Sequence, residues 1–252
     1  DITRWREYVH APSLKFPDAE WEPFIAQAEA VDRNEYFATC FIAPGIFEQC
    51  HHLGEIQQTL MNLYEEPDDM HDLIRYLTDF ELALAEQICS HIKPDAIFHH
   101  DDWGTQISTF MSVPMFEDFF LDAYKEVYGS YKAHGVQLIV HHSDSYAATL
   151  VPDMIEMGID IWQGVMCSNN IPELIKKYGG KISFMGGIDS ASIDYEGWDR
   201  ETIAKQVKRA CDENGKLYYI PGASIGLGTS TFPGVYDATS EAIAKYSKEV
   251  FK

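Results

Sequence analysis

Clusters of histidine and aspartate follow two apolar segments of this sequence, and their side chains could bind a metal ion or transfer protons. The first cluster is His99, His100, Asp101 and Asp102, and the second contains His142 and Asp144. Imidazole and carboxylate groups together suit Zn²⁺ or another divalent transition metal, and they also suit general acid–base catalysis. The simpler alternative is that these residues bond loop amides where the strands end.

The spacing within each cluster predicts which side chains can meet. Residues two apart in a strand share a side, so His142 and Asp144 are predicted to face one place and to supply two metal ligands. In the first cluster, the first and third residues share one side and the second and fourth share the other. Either register turns two of these four residues inward, so we expect the third ligand from them, with Cys167 as a further candidate.

Other polar and aromatic residues near the same strand ends are candidates for catalysis or substrate binding. The candidate catalytic groups are Asp101, Asp102 and Asp189, and the candidate metal ligands are His142, Asp144, His100 and His99. The candidate substrate contacts are Trp103, Gln106, Trp162 and Cys167. For the tryptophans the alternative is packing in the core, and for the cysteine it is the role of a small buried residue.

Apolar segments alternate with amphipathic ones along the chain, a pattern typical of βαβ units and a parallel sheet. The predicted strands are Tyr36–Ala43, Ala96–His100, Val136–His141, Ile159–Gln163, Ile182–Met185 and Leu217–Ile220. The predicted helices run from Met70 to Ile88, from Pro114 onward, and over Ala147–Met157, Ile171–Tyr178, Arg200–Glu213 and Val235–Phe251. Parallel strands end at one edge of the sheet, so this topology would bring the polar clusters together.

The predicted fold class is α/β, a (β/α)8 TIM-type barrel that forms one domain over residues 1–252. Six strands are two short of a closed ring of eight, and the sequence opens on Asp1 without a Met. We therefore expect one or two further N-terminal strands to precede this chain and a gap in the barrel where they belong. An open doubly wound sheet is the alternative, but no GxGxxG motif follows the first strand.

The composition narrows the class of partner. The formal net charge of −21 disfavours nucleic acid and anionic membrane surfaces, because both require basic patches. No apolar run approaches the ~18 residues of a membrane span. Five cysteines without a CxxC pair favour a reducing compartment, so we expect a cytoplasmic protein. The hydrophobic share of 46% is enough to bury one large core.

Four motifs resemble the uroporphyrinogen decarboxylase superfamily, and their order and spacing match from about residue 32 to the C-terminus. The motifs are Asp101-Asp102-Trp103-Gly104-Thr105-Gln106 with the following Ser112-Val113-Pro114, Val140-His141-His142-Ser143-Asp144-Ser145, Ser183-Phe184-Met185-Gly186-Gly187-Ile188-Asp189, and Ile220-Pro221-Gly222. The resemblance implies a (β/α)8 barrel. It also implies one of two chemistries: decarboxylation of uroporphyrinogen without a cofactor, or zinc-dependent methyl transfer to or from a corrinoid protein.

The two branches of the superfamily make different demands on the sequence. The decarboxylases hold a polycarboxylate with an arginine-rich N-terminal segment, whereas Arg4 and Arg6 lie in no such motif here. The methylcobamide:coenzyme M methyltransferases bind zinc through His-x-Cys and a second Cys after a later strand. His142 matches the histidine, while Asp144 and Ala223 stand where the two cysteines would be. The resemblance is therefore closer to the methyltransferase branch, with a departure at two of three ligands.

The departure from thiolate to carboxylate makes a bound metal harder and more Lewis acidic, which suits polarising an ether or alcohol oxygen. We therefore expect transfer of a methyl group from a small O-methyl substrate, a methoxy compound or methanol, to a corrinoid carried by a partner protein. Three alternatives stay open: methyl transfer to a thiol or folate acceptor, uroporphyrinogen decarboxylation, and a non-catalytic ligand-binding barrel.

Overall fold

The central element of the molecule is a six-stranded sheet in which every neighbouring pair is parallel. The computed structural model describes residues 1–223 and 230–251. The strands lie side by side in chain order. They are β1 (Thr39–Ile42), β2 (Ala96–His100), β3 (Leu138–His142), β4 (Ile161–Val165), β5 (Ser183–Ile188) and β6 (Tyr219–Ala223). The predicted α/β class and the order of the six parallel strands are thus confirmed.

Strands β3 to β6 begin one or two residues later than predicted, and they also end later. The apolar residues Val136, Ile159 and Ile182, which were assigned to strands, instead lie in the turns before them, where each is almost fully buried. These three residues are apolar because they are buried at the amino end of the sheet, although they do not pair with a neighbouring strand. The later ends place His142 inside β3 as the register partner of His100 on one side and of Gln163 on the other.

Helices connect successive strands and cover the outer face of the sheet. They are α1 (Asp18–Glu29), α2 (Ile46–Gly54), α3 (Ile56–Glu65), α4 (Pro67–His91), α5 (Val113–Phe116), α6 (Asp122–Ala133), α7 (Val151–Glu156), α8 (Ile171–Tyr178), α9 (Arg200–Asn214) and α10 (Val235–Val250). A π-helical turn, Glu117–Leu121, joins α5 to α6. The sequence patterns did not predict α1, α2 or α3, and α2 supplies a group of the functional site.

The two faces of the sheet differ in burial, and this difference shows which side chains face the helices. Four side chains, one from each of β2 to β5, are fully buried against helices: Ile97, Ile139, Trp162 and Phe184. Each such side chain contributes about 1.5–3 kcal/mol by leaving water. Their strand neighbours point to the other face, which is only half-buried. That second face carries the candidate site.

Within residues 1–223 and 230–251, β1 and β6 each pair with one neighbouring strand, so the described sheet has two edges. Closure into a ring of eight strands therefore stays an expectation from the family resemblance. In the same part of the chain, no helix combines the length and the apolar composition that crossing a membrane requires.

Candidate metal centre

Three side chains converge at the carboxyl ends of β2 and β3. His100, Asp102 and His142 each offer a ligand atom, and these atoms all lie within 4.8 Å of one another. The two imidazole rings stack, with centroids 4.5 Å apart and 19° between their planes. All three residues are half-buried. The convergence follows from the parallel register, because His100 and His142 are direct partners across neighbouring strands.

The imidazole of His100 is oriented by a carboxylate from α2. Its Nδ1 lies 3.0 Å from Oε2 of Glu48, which is itself nearly buried. This hydrogen bond raises the pKa of His100 and, against the opposing effect of burial, lowers the pKa of Glu48. A histidine whose Nδ1–H donates to a carboxylate presents Nε2 as the free donor atom, which is the usual arrangement for a metal-binding histidine.

The imidazole of His142 is oriented in the same way by an amide from β4. Its Nδ1 donates to Oε1 of Gln163, its register partner. The ring also lies against Phe98 on the inner face of the sheet, with centroids 5.8 Å apart. Nε2 of His142 is therefore the atom available to bind a metal ion, as it is in His100.

The carboxylate of Asp102 is held by the chain that follows β3. Its Oδ1 accepts a hydrogen bond of 2.9 Å from the backbone amide of Asp144. Burial raises the pKa of Asp102, and the negative charge of Asp144 raises it further. A cation placed between His100, His142 and Asp102 would relieve this repulsion.

The donor set fits Zn²⁺. Catalytic zinc sites have three protein ligands, commonly histidine nitrogen and carboxylate oxygen, with a fourth position left for water or substrate. His100, Asp102 and His142 supply two nitrogens and one oxygen. Glu48 and Gln163 provide the outer hydrogen bonds that fix imidazole orientation in such sites.

His99, which was expected as a metal ligand, points to the opposite side of β2 from the group of His100, Asp102 and His142. It is fully buried, its Nε2 lies 2.9 Å from Oε2 of Glu81 on α4, and its Nδ1 lies 3.1 Å from the hydroxyl of Tyr128 on α6. Burial alone would lower the pKa of His99, but the attraction of Glu81 outweighs it and raises the pKa. Both ring nitrogens are thus engaged behind the sheet.

Asp101 also faces the helices, so the expectation of a catalytic role in contact with substrate is not supported. Its carboxylate is fully buried and accepts hydrogen bonds from the backbone amides of Phe47 and Glu48 and from the hydroxyl of Tyr124. Burial raises the pKa of Asp101 to about 7, while the hydrogen bond from Tyr124 acts in the opposite direction.

The two tryptophans expected near the substrate belong to the core instead. Trp103 and Trp162 are fully buried. Nε1 of Trp103 donates to the hydroxyl of Tyr124, and Nε1 of Trp162 donates to the backbone carbonyl of Ser143. Trp103 stacks on His141, with centroids 3.9 Å apart. These contacts leave neither ring a surface toward the metal centre.

A cavity of about 530 Å³ gathers the remaining predicted residues next to the metal centre. Gln106, Asp144, Cys167 and Asp189 all line it, and Asp144 connects it to Asp102 through the hydrogen bond described above. Asp144, which was expected as a ligand, therefore lies outside the group of three candidate ligands and contributes to the cavity wall. Sγ of Cys167 lies 3.1 Å from the carbonyl oxygen of Gly187.

The charge of this cavity is negative. Asp144 and Asp189 are both exposed, and no Lys or Arg lines the cavity within the described ranges 1–223 and 230–251. A larger cavity of about 740 Å³ lies between α1, α4 and β1 and has mostly apolar walls. That larger cavity contains none of the predicted site residues, so the smaller one is the candidate substrate cavity.

Two residues of the candidate site were not predicted from the sequence. Glu48 belongs to a helix that was not predicted, and Gln163 was taken as the last residue of a strand. The sequence offered a clue to Gln163, because the predicted strand Ile159–Gln163 ends on this polar residue. In the structure Gln163 lies in the middle of β4, level with His142. No local pattern pairs Glu48 with His100, which lies 52 residues away.

The fold and the site together define an α/β protein with a candidate metal centre at the carboxyl ends of its parallel strands. The family model for uroporphyrinogen decarboxylase (URO-D) matches residues 50–246. The chain therefore belongs to the URO-D family, as its motifs predicted.

Among solved structures, the chain is similar to a methyltransferase from Methanosarcina mazei, with 15% sequence identity and a TM-score of 0.71. The match covers 92% of this chain and 64% of that one, so this chain spans somewhat less than two thirds of the matched protein. The likeness shows a shared fold. No curated protein sequence matches the chain.

Proposed function

We propose that this protein is a metal-dependent methyltransferase that moves a methyl group from a small O-methyl compound, such as a methoxy compound or methanol, to a corrinoid carried by a partner protein. The observation that carries the proposal is the group formed by His100, Asp102 and His142. The fold shared with the methyltransferase from Methanosarcina mazei is in keeping with it.

His100, Asp102 and His142 would hold Zn²⁺. Bound there, the ion would supply a Lewis acid, harder than in a thiolate site, that would polarise the oxygen of the donor and make its methyl carbon a better electrophile. Glu48 and Gln163 keep the two imidazoles in the tautomer that leaves Nε2 available. This set of nitrogen and oxygen donors favours an oxygen substrate over the activation of a thiol.

The neighbouring cavity would bind the methyl donor. Its volume of about 530 Å³ is within the range of small-molecule sites. Gln106 and Asp189 line it and are placed to hydrogen-bond hydroxyl groups of a donor. The carboxylates of Asp144 and Asp189 would repel a substrate that carries several carboxylates, which argues against decarboxylation of uroporphyrinogen at this site.

The proposal is tested by assaying methyl transfer from a methoxyaromatic compound or methanol to reduced cobalamin. We expect treatment with a chelator to abolish the activity, added Zn²⁺ to restore it, and His142→Ala to resist restoration. The exposed His134 serves as a control, and His134→Ala should behave as the wild type. Unchanged transfer after chelation would contradict the metal mechanism. Decarboxylation of a tetrapyrrole by the stripped protein would replace it with the alternative chemistry.

A further inference from the structure

We propose that Asp101 is a positioning residue for the candidate metal centre, which it serves by fixing the first turn of α2 and thereby holding Glu48 against His100. The inference rests on the metal centre of the proposed function. The carboxyl group of Asp101 is fully buried, lies behind the sheet and does not face the cavity, so its role is structural support of the site.

The first turn of α2 rests on the carboxylate of Asp101. The backbone amide of Phe47 lies 2.9 Å from Oδ2 of Asp101, and that of Glu48 lies 3.0 Å from Oδ1. The first amides of a helix have no partner within the helix, and a negative charge at that end is favourable. The residue before α2 is Gly45, which has no side chain to cap the helix, so Asp101, the residue that follows β2, provides the cap.

The same turn is tied to His100 at two points. The backbone amide of Gly45 donates to the carbonyl oxygen of His100 over 2.8 Å, and the carboxylate of Glu48 lies 3.0 Å from Nδ1 of the same residue. Glu48 is therefore held by its backbone on Asp101 and by its side chain on His100. A shift of the first turn would move the Glu48 carboxylate away from the imidazole.

The packing at this junction leaves no room for adjustment. A Cβ atom added to Gly45 would lie 2.5 Å from Oδ2 of Asp101. The hydroxyl of Tyr124 holds the same oxygen from α6 and accepts a hydrogen bond from Nε1 of Trp103. The position of the Asp101 carboxylate is thus determined by α2, α6 and the chain after β2, and all of these contacts lie on the helix side of the sheet.

The test is Co²⁺ binding to the purified protein after removal of metal, followed by titration and by the absorption spectrum of the bound ion. In Asp101→Asn an amide nitrogen replaces one carboxylate oxygen, so one of the two helix amides loses its carboxylate acceptor. We expect affinity for Co²⁺ to fall about 10-fold, the usual cost of losing an outer partner of a metal ligand, with a changed spectrum. Glu48→Gln should give a loss of similar size.

The double variant separates positioning from general damage. If Asp101 acts through Glu48, the combination of Asp101→Asn and Glu48→Gln should bind Co²⁺ about 10-fold more weakly than the wild type, since independent effects would multiply to about 100-fold. Asp160 is the control, because its carboxylate also accepts a backbone amide, that of Ile139, but at the opposite end of the sheet. Asp160→Asn should leave Co²⁺ affinity unchanged even if it lowers stability.

Tyr124→Phe provides a second variant if Asp101→Asn does not fold, because it removes only the hydroxyl that donates to Asp101. Its effect on Co²⁺ affinity should likewise disappear in the Glu48→Gln background. Unchanged affinity and spectrum in both variants, or fully multiplicative effects, would overturn the positioning role and leave the metal centre standing. Failure of the wild-type protein to bind Co²⁺ would overturn the centre, and the role of Asp101 with it.

Discussion

His100 and His142 are register partners on neighbouring parallel strands, and their imidazole rings stack 4.5 Å apart. Each ring is hydrogen-bonded through Nδ1 to a side chain from a third element: Glu48 on α2 in one case and Gln163 on β4 in the other. The strands thus bring the rings together, while outside elements decide their orientation. Metal binding should therefore respond to changes at residues that are not ligands.

The amide of Gln163 is expected to matter for metal affinity although it is not a ligand. Gln163→Leu removes the acceptor for Nδ1 of His142, so the imidazole loses both its preferred tautomer and its orientation. We expect Zn²⁺ affinity to fall about 10-fold to 100-fold. Competition with a chromophoric chelator measures this loss. Gln137→Leu, an exposed glutamine just before β3, is the matched control, and equal affinity in the two variants would contradict the assignment.

The two aspartates at the site are predicted to differ sharply. Asp102 belongs to the ligand group, whereas Asp144 lines the cavity. Asp102→Ala should therefore weaken Zn²⁺ binding by more than the roughly 10- to 100-fold typical of outer partners. Asp144→Ala should keep one metal ion per chain and instead change the KM for the methyl donor. Loss of metal in Asp144→Ala with retention in Asp102→Ala would show that the ligand had been assigned to the wrong aspartate.

Gly164 in β4 is expected to be needed for the position of His142. Its φ of 86° is unfavourable for other residues, and a Cβ atom there would lie 3.0 Å from Cε1 of His142. Gly158 is a matched control because it has a φ of 83° with open space around its Cβ position. Both alanine variants should lose about 1–2 kcal/mol of stability from backbone strain. Only Gly164→Ala should also weaken Zn²⁺ binding, and equal affinities would refute the steric argument.

Asp153 on α7 should make stability depend on pH. Burial, together with repulsion from Glu117 and Glu156, raises the pKa of Asp153 from 3.8 to about 6. Glu156 is itself paired with Lys125, whose Nζ donates to it. Between pH 3.8 and about pH 6, Asp153 therefore keeps a proton in the native protein that it has lost in the unfolded chain. The stability due to this group is fully present below about pH 4 and is lost as the pH rises through 6.

The corresponding measurement is urea unfolding of Asp153→Asn and wild type at pH 4.5 and 7.5. Relative to the variant, the wild type should lose about 1–3 kcal/mol of unfolding free energy across this interval. Glu196→Gln, at an exposed position, controls for the loss of a charge and should follow the wild type. A constant difference between Asp153→Asn and wild type at both pH values would exclude titration of Asp153 as the cause.

The sequence by itself determined the α/β class of the fold and the edge of the sheet at which the candidate site lies. Alternating apolar and amphipathic segments identify parallel strands joined by helices, and parallel strands place their polar carboxyl ends together. The two-residue period also grouped His100 with Asp102, as one of two possible pairs, and both belong to the candidate metal group. These features depend on local spacing, and local spacing is visible in a sequence.

Only the tertiary structure decided which pair faces the site. Both faces of this sheet carry apolar side chains, Ile97 and Ile139 on the face covered by helices and Phe98 and Val140 on the half-buried face, so apolar character does not distinguish the faces. His99 and Asp101 find partners on α2, α4 and α6, and these partners balance the cost of burying them. The sequence shows polar residues at four successive positions, but it does not show which of them will bind to groups on the helices.

The roles of Asp144, Glu48 and Gln163 also depended on tertiary structure. The pairing of His142 with Asp144 assumed a continuing strand, but β3 ends at His142 and the chain turns there. Glu48 reaches His100 across 52 residues, and Gln163 reaches His142 across 21. Such contacts exist because the folded sheet and helices bring distant segments within hydrogen-bonding distance, and that distance is a property of packing, not of spacing along the chain.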